Sequence, residues 1–147
     1  MPPTIGAAIR LITSEPVPVP YKIGNRPIMM VATVIMTGRT AAKVEALARE
    51  ISAAGGSAES LPVDVTSEAD LDALFDHAKT RGPVAAVLYN AGNNAIIPFD
   101  QLEPDTVEQF WRVGCFGAFL AAKRAIPILE AQGRGSLFFT GASGSLR

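Results

Sequence analysis

One cysteine and one histidine among 147 residues leave little room for two kinds of chemistry. An internal disulfide is excluded, as is a cysteine-rich zinc site, and the lone thiol fits a reducing compartment. Cys115 lies among apolar residues, which predicts a buried thiol rather than a nucleophile. His77 has no Cys or His at ligand spacing and falls on the polar side of a helical pattern, so it reads as a surface residue. The acids Asp70, Asp72 and Asp76 lack the glycine and terminal glutamate of a calcium loop, and no metal is expected. An excess of one charge is also missing. Thirteen basic and fourteen acidic side chains give a net charge of -1, and the longest basic run is Lys123-Arg124. Nucleic acid is therefore not an expected partner. No uncharged apolar stretch of about 18 residues suggests a membrane span, and Met1-Pro2-Pro3-Thr4 lacks the features of a secretory signal. A cytoplasmic protein without a membrane partner is expected.

What is present is an alternation of elements in a chain of single-domain length, 48% hydrophobic. Residues 4 to 12 can begin a short helix capped by Thr4. Pro16, Pro18 and Pro20 then impose an extended path. Residues 28 to 37 form an apolar run that predicts a strand, broken by Thr37-Gly38-Arg39-Thr40. Ala41, Val44, Leu47, Ala48 and Ile51 return at helical spacing up to Gly55-Gly56. Residues 58 to 63 read as a strand. Ser67 and Asp70 have capping-box spacing ahead of the stripe Leu71, Leu74, Phe75 and Ala78. Val84-Ala85-Ala86-Val87-Leu88-Tyr89 is a buried strand running into the turn Asn90-Ala91-Gly92. Pro104 suits the first helical position, and residues 106 to 130 read as helix with a bend near Gly114 or Gly117 and a kink or stop at Pro127. Residues 136 to 140 form a last strand. The rhythm predicts an α/β fold, a Rossmann-like parallel sheet with helices on both faces.

The ordered set Gly38-Arg39, Asp64-Val65, Asn90-Ala91-Gly92 and the strand at 137 to 140 resembles the short-chain dehydrogenase/reductase family. Members of that family bind a nicotinamide dinucleotide on a Rossmann fold. The resemblance covers residues 36 to 147, taken as a partial dinucleotide-binding domain after an atypical segment 1 to 35, and extends to Ile5-Gly6-Ala7-Ala8-Ile9. It implies that Ile5 and Gly6 end the phosphate-binding turn and that Asp64 holds the adenine amino group with Val65 beside the ring. It further implies that Asn90, Ala91 and Gly92 line the cofactor cleft. Arg39 has two readings from the residues alone: a guanidinium meeting the ribose 2'-phosphate of NADP, or a solvated arginine in a first helical turn. The resemblance implies the former, with NADP as cofactor and NAD possible. Asp64 can likewise be a turn or helix-leading carboxylate. The substrate implied is a small carbonyl or alcohol.

Departures from the family pattern are as specific as the matches. In the family's G-x-x-x-G-x-G turn, Thr4 would take the middle position, and the first glycine and the strand before it would precede Met1. The fold is expected to be incomplete, lacking its first strand and C-terminal part, with residues 28 to 37 or the N-terminal residues shifting to cover the gap. Gly114 stands where the family has an asparagine. Ser143 matches the catalytic serine, with Ser145 as the alternative register. The family's Tyr-x-x-x-Lys pair has no counterpart, since neither Tyr21 nor Tyr89 has a lysine four residues on. The expectation is an NADP(H)-dependent oxidoreductase chain that is catalytically incomplete. The alternative is a non-enzymatic nucleotide-binding or oligomerisation module, with residues 107 to 129 as a homo-oligomer surface.

Overall fold

The apolar run at 28 to 37 contributes strand β2, Thr33–Gly38, in the computed structural model, which describes residues 9–13, 32–92 and 95–141. Four further strands join it: β1 (Ile9–Thr13), β3 (Ser57–Pro62), β4 (Val84–Tyr89) and β5 (Ser136–Phe139). The sheet order is β3-β2-β1-β4-β5. β2 pairs parallel with β3, and β4 parallel with β5. β1 lies between the two pairs and runs antiparallel to both.

Alternation along β2 sorts the two faces of the sheet. Ile35 and Thr37, both 0% exposed, face one side, and Met36 faces the other. Helix α1 (Ala41–Ala53) covers the Met36 side, packing on β2 and β3 with Ala48 buried. The opposite side holds the main core. Helix α2 (Glu68–Thr80) contributes Leu71, Leu74, Phe75 and Ala78, which cluster with Ile35, Val87 and Tyr89. Leu120, Ala121 and Ala125 of α4 (Gly117–Gln132) complete the cluster. Helices thus lie on both faces, as the rhythm predicts. Arg124 ties α4 to α2, bonding Glu68 at 2.9 Å and also Asp72.

Three punctuation signals hold as read. Gly55, at a φ of 87°, follows α1 where a left-handed residue is needed. The Ser67 side chain accepts from the Asp70 amide at 3.2 Å and donates to its carboxylate at 3.1 Å. Helix α3 (Pro104–Trp111) places Pro104 at its first position.

Four readings need correction. The helix expected at 4 to 12 is, in its described part, strand β1; residues 4 to 8 lie outside the described residues. The sheet is accordingly mixed rather than wholly parallel. The reason lies in the connection to β2. Parallel neighbours need a crossover, usually helical, whereas antiparallel neighbours can be joined at one edge. Pro16, Pro18 and Pro20 disfavour a helix in that connecting sequence. The expected shift of N-terminal residues into the gap is met in this reversed sense. Second, of the kink or stop expected at Pro127 the stop does not occur, since α4 continues through it to Gln132. Proline removes one amide, but Ile128 and Leu129 beyond it still pack on the core.

Third, Cys115 is exposed rather than buried. It sits in a π-helical turn, Arg112–Phe116, between α3 and α4. Val113 and Gly117 supply the inward face of that turn, so Gly114 and Cys115 fall outside. The bend expected near Gly114 or Gly117 corresponds to this turn. Fourth, His77 is half-buried, with Nε2 2.8 Å from the Glu59 carboxylate on β3, which also accepts from Arg81. Ile35 and Glu59 are register partners, so Glu59 faces α2 as Ile35 does.

Candidate nucleotide-binding site

Parallel strands that end together create one edge from which their following turns project. Gly38 pairs with Pro62 at the ends of β2 and β3, and Tyr89 with Phe139 at the ends of β4 and β5. The Thr140 amide continues the ladder with a 3.0 Å bond to the Tyr89 carbonyl. Arg39, Asp64 and Asn90-Ala91-Gly92 therefore all leave this edge. Ile5, Gly6, Ser143 and Ser145 lie outside the described residues.

Asp64 is the most constrained of these groups. Its Oδ1 accepts from the Thr66 amide at 2.9 Å and the Thr66 hydroxyl at 2.8 Å, while its own amide donates to Asp70 at 2.8 Å. Of the two structural readings of Asp64, the turn is the one seen, since its carboxylate caps the Thr66 amide ahead of Ser67, the cap of α2. The Thr66 amide bond holds its carboxyl below the ordinary aspartate range, against a partial desolvation penalty; the Thr66 hydroxyl and the charges of Arg39 and Arg112 add to the lowering. Asp64 is thus an anion at neutral pH with Arg39 and Arg112 in its field. Val65 is 1% exposed, with its side chain in the core, so contact with a bound ring would fall to its backbone. Ala91 is buried, whereas Arg39, Asn90 and Gly92 are exposed.

Three helices begin at or beyond this edge, and their first turns differ in charge. Helix α2 begins with Glu68 and Asp70, and α3 has Asp105 in its first turn. Helix α1 has no acid in its first turn and follows directly on Arg39 and Thr40. A phosphate is repelled by the first two and favoured by the third, where the amide ends and the guanidinium act together. The arrangement suits a phosphate on the β2 side of the site.

Among the described residues, the diphosphate end of a dinucleotide does not find the same fit. Its usual cradle is a central strand whose C-terminal turn leads into a helix N-terminus at this edge. Here Ile9, the first residue of β1, pairs with Tyr89, the last of β4. Thr13, the last of β1, pairs with Thr33 and Val84, the first residues of β2 and β4. The central strand therefore begins at the ligand edge and ends at the opposite one.

Several contributors escape sequence reasoning. The Tyr89 hydroxyl donates to the Val113 carbonyl and lies against Gly117, joining the end of β4 to the π turn. Burial pushes the Tyr89 phenol well above its ordinary range, with the charge of Asp64 adding to the rise. Tyr89 is thus a committed structural donor and a poor acid, consistent with its mismatch to the family's tyrosine. Arg112 was read as part of a helix, yet it acts on Asp64 because the π turn brings it there. Gly114 is exposed, and a Cβ there would meet nothing within 4 Å. A shallow groove of about 480 Å³ between α1 and β3, lined by Glu45, Ala48, Arg49 and Ser60 among others, is separate from this edge.

Comparison with known proteins agrees with this architecture. The model of the short chain dehydrogenase family matches residues 22–146. The Bacillus subtilis protein "Uncharacterized oxidoreductase YxjF" is 27% identical over 125 residues, covering 84% of this chain and 49% of that protein. A short-chain dehydrogenase from Rhodopseudomonas palustris superposes with a TM-score of 0.67 at 29% identity, over 74% of this chain and 51% of that one. A metagenomic short-chain oxidoreductase, solved in complex with NADP, gives a TM-score of 0.67 at 25% identity, over 75% of this chain and 51% of that one. The chain spans about half the length of the curated relatives it matches.

Proposed function

The chain belongs to the short chain dehydrogenase family of oxidoreductases, and from that premise we propose that it carries the adenosine-recognising side of an NADP(H) site. No Tyr-x-x-x-Lys pair occurs within these 147 residues, and on this proposal they do not by themselves complete a catalytic centre. The carrying observation is Arg39 at the end of β2, beside the acid-free start of α1 and within the field of Asp64. A guanidinium there favours a 2'-phosphate over a free 2'-hydroxyl, so NADP(H) is preferred to NAD(H). The complex of a structural neighbour with NADP supports this assignment. A nicotinamide cofactor supplies hydride chemistry when bound, and the substrate class that goes with it is a small carbonyl or alcohol, in the cytoplasm. Residues 36 to 147 hold the nucleotide-facing groups, and Ser143 is the residue assigned to the substrate side.

Calorimetry on the purified chain tests the cofactor preference. NADPH is expected to bind more tightly than NADH, and Arg39→Ala to abolish the difference; equal affinities in the unaltered chain would refute the assignment of Arg39. Incompleteness is tested by following NADPH oxidation with a panel of aldehydes and ketones. Turnover above the protein-free rate would contradict it, because no Tyr-x-x-x-Lys pair is present to donate the proton.

A second reading rests on a different observation. Val107, Trp111, Phe119 and Ile126 on α3 and α4 are large, apolar and exposed. An assembly role for this surface fits residues 107 to 129 as a self-association face. Sedimentation over a hundredfold concentration range tests it: a monomer throughout excludes this role.

A further inference from the structure

The two edges of the sheet differ in how they meet solvent. β3 carries Glu59 and Pro62, a charge and a proline of the kind that discourage further pairing. β5 reads Ser-Leu-Phe-Phe, with neither, and no described strand lies beyond it. Phe138 and Phe139 alternate to opposite faces of β5, yet they are 54% and 52% exposed. Because the Thr140 amide points at β4, alternation turns the amides and carbonyls of Leu137 and Phe139 outward. Helix α4 extends the same apolar flank. It packs on β4 and β5, while α2, on its other side, is tied to β3 through His77 and Glu59. Arg124 bonds to α2, and at about 100° per residue Phe119 and Ile126 fall on the side of α4 away from it. These two side chains are 59% and 45% exposed.

We infer that the β5 edge is a docking surface for a second copy of this chain, the two β5 strands pairing antiparallel across a two-fold axis at Phe138. The inference rests on the self-association reading and names the element that carries it. In this register Leu137 and the partner's Phe139 exchange both main-chain bonds through their outward groups, and the two Phe138 side chains meet on one face as a cross-strand pair. No charge on β5 opposes its own image. Strands about 4.8 Å apart place the two α4 axes about 10 Å apart, since each helix straddles β4 and β5. That is the packing distance of two helices, so the strand pairing also brings Phe119 and Ile126 to the contact. Phe119, Ile126, Phe138 and Phe139 each leave about 100 Å² in water. Two copies cover about 800 Å² with these side chains alone, and the backbone and smaller side chains between them carry the contact to the range of about 1,200–2,000 Å² that a stable dimer needs.

The test is position-specific crosslinking of the full chain in a Cys115→Ser background, which removes the one native thiol. Across the axis the two Cα atoms of residue 138 stand about 4.5 Å apart, within disulfide reach, whereas those of residue 139 stand about 9 Å apart, beyond it. With diamide as oxidant, Phe138→Cys is expected to give a species of twice the 15.4 kDa chain mass, and Phe139→Cys to stay monomeric on a denaturing gel. Phe139→Pro takes an outward amide from the edge and leaves the β4 ladder intact. In sedimentation it is expected to raise the dimer dissociation constant by about tenfold or more. A dimer that Phe139→Pro leaves intact and Phe138→Cys fails to link would overturn this inference while leaving self-association through α3 and α4 in place. Equal linkage at the two positions would overturn it in the same way. A monomer at every concentration would overturn both, and the edge would then fall to chain outside these 147 residues.

Discussion

Replacing Gly117 by alanine tests how the sheet and the long helix are locked together. A Cβ at this position would stand 3.0 Å from the Val65 carbonyl oxygen and 3.1 Å from Val65 Cγ2, and would also collide with the Tyr89 hydroxyl. The backbone oxygen cannot rotate away, so either α4 shifts or the phenol leaves its bond to Val113. Overpacking of this kind costs about 1–3 kcal/mol. Stranding the phenol and the Val113 carbonyl in a buried site adds about 1–3 kcal/mol. Alanine returns about 1 kcal/mol of helix propensity, so the expected net loss is about 3 kcal/mol. For a chain of this size the melting temperature should fall by about 6–12 °C. Urea unfolding followed by circular dichroism measures the loss. Gly114→Ala is the matched control, because nothing lies within 4 Å of its Cβ. The same propensity gain should there stabilise the protein by about 0.5–1 kcal/mol. In a Tyr89→Phe background, Gly117→Ala should cost about 1 kcal/mol less than in the native chain. Equal effects of the two glycine substitutions would refute the close approach of α4 to β4.

Gln132 closes the start of β4, its amide accepting from the Val84 amide and donating to the Val84 carbonyl, both at 2.9 Å. Gln132→Ala leaves this pair unpartnered at a buried residue and should cost about 2 kcal/mol in urea unfolding; a loss under about 0.5 kcal/mol would show that water replaces the side chain freely. Asp64→Asn tests the lowered carboxyl. Because its folded-state pKa lies below the ordinary value, its stabilisation is present above about pH 4 and is lost as pH falls through the folded value. The native chain should therefore exceed Asp64→Asn in stability at pH 6, by under about 1 kcal/mol for so exposed a group, and the two should converge as the pH falls below the folded value. A difference that stays constant across this range would mean that the carboxyl charge is not the source.

The sequence is legible where local signals agree with the fold. Val84 through Tyr89 is an apolar run too short for a helix, bounded by Gly82-Pro83 and Asn90-Ala91-Gly92, and it forms β4 over those same residues. Ser67, Asp70 and the stripe from Leu71 to Ala78 likewise specify α2 and its start. The edge carrying Arg39, Asp64 and Asn90 follows from strand ends alone. Cys115 was misplaced because a π turn changes which residues of a helix face inward, and no period of 3.6 predicts that. Arg112 was missed for the same reason. Residues 9 to 12 do not disclose their strand because four mostly apolar residues suit either a helix start or a strand, and only the unpaired edges of β2 and β4 decide between them. Periodicity describes a segment; the vacancy it fills belongs to the rest of the chain.

That vacancy makes β1 the element on which both fold and function turn. A central strand completes hydrogen bonding for both neighbours, and without it β2 and β4 would each expose a row of backbone donors and acceptors. Leu11 pairs with Ile35 on one side and Val87 on the other, two residues at the centre of the core. Leu11→Pro removes an amide from the ladder whichever neighbour it serves, and fixes φ away from extended antiparallel values. The expected result is loss of cooperative urea unfolding and of dispersed amide resonances. Arg39→Ala should leave both unchanged. If Leu11→Pro retained the native unfolding midpoint, β1 would not be a central strand, and the argument that its direction removes the diphosphate cradle would lose its basis. A stable variant would thus bear on nucleotide recognition as directly as on the fold, because both depend on which end of β1 stands beside Tyr89.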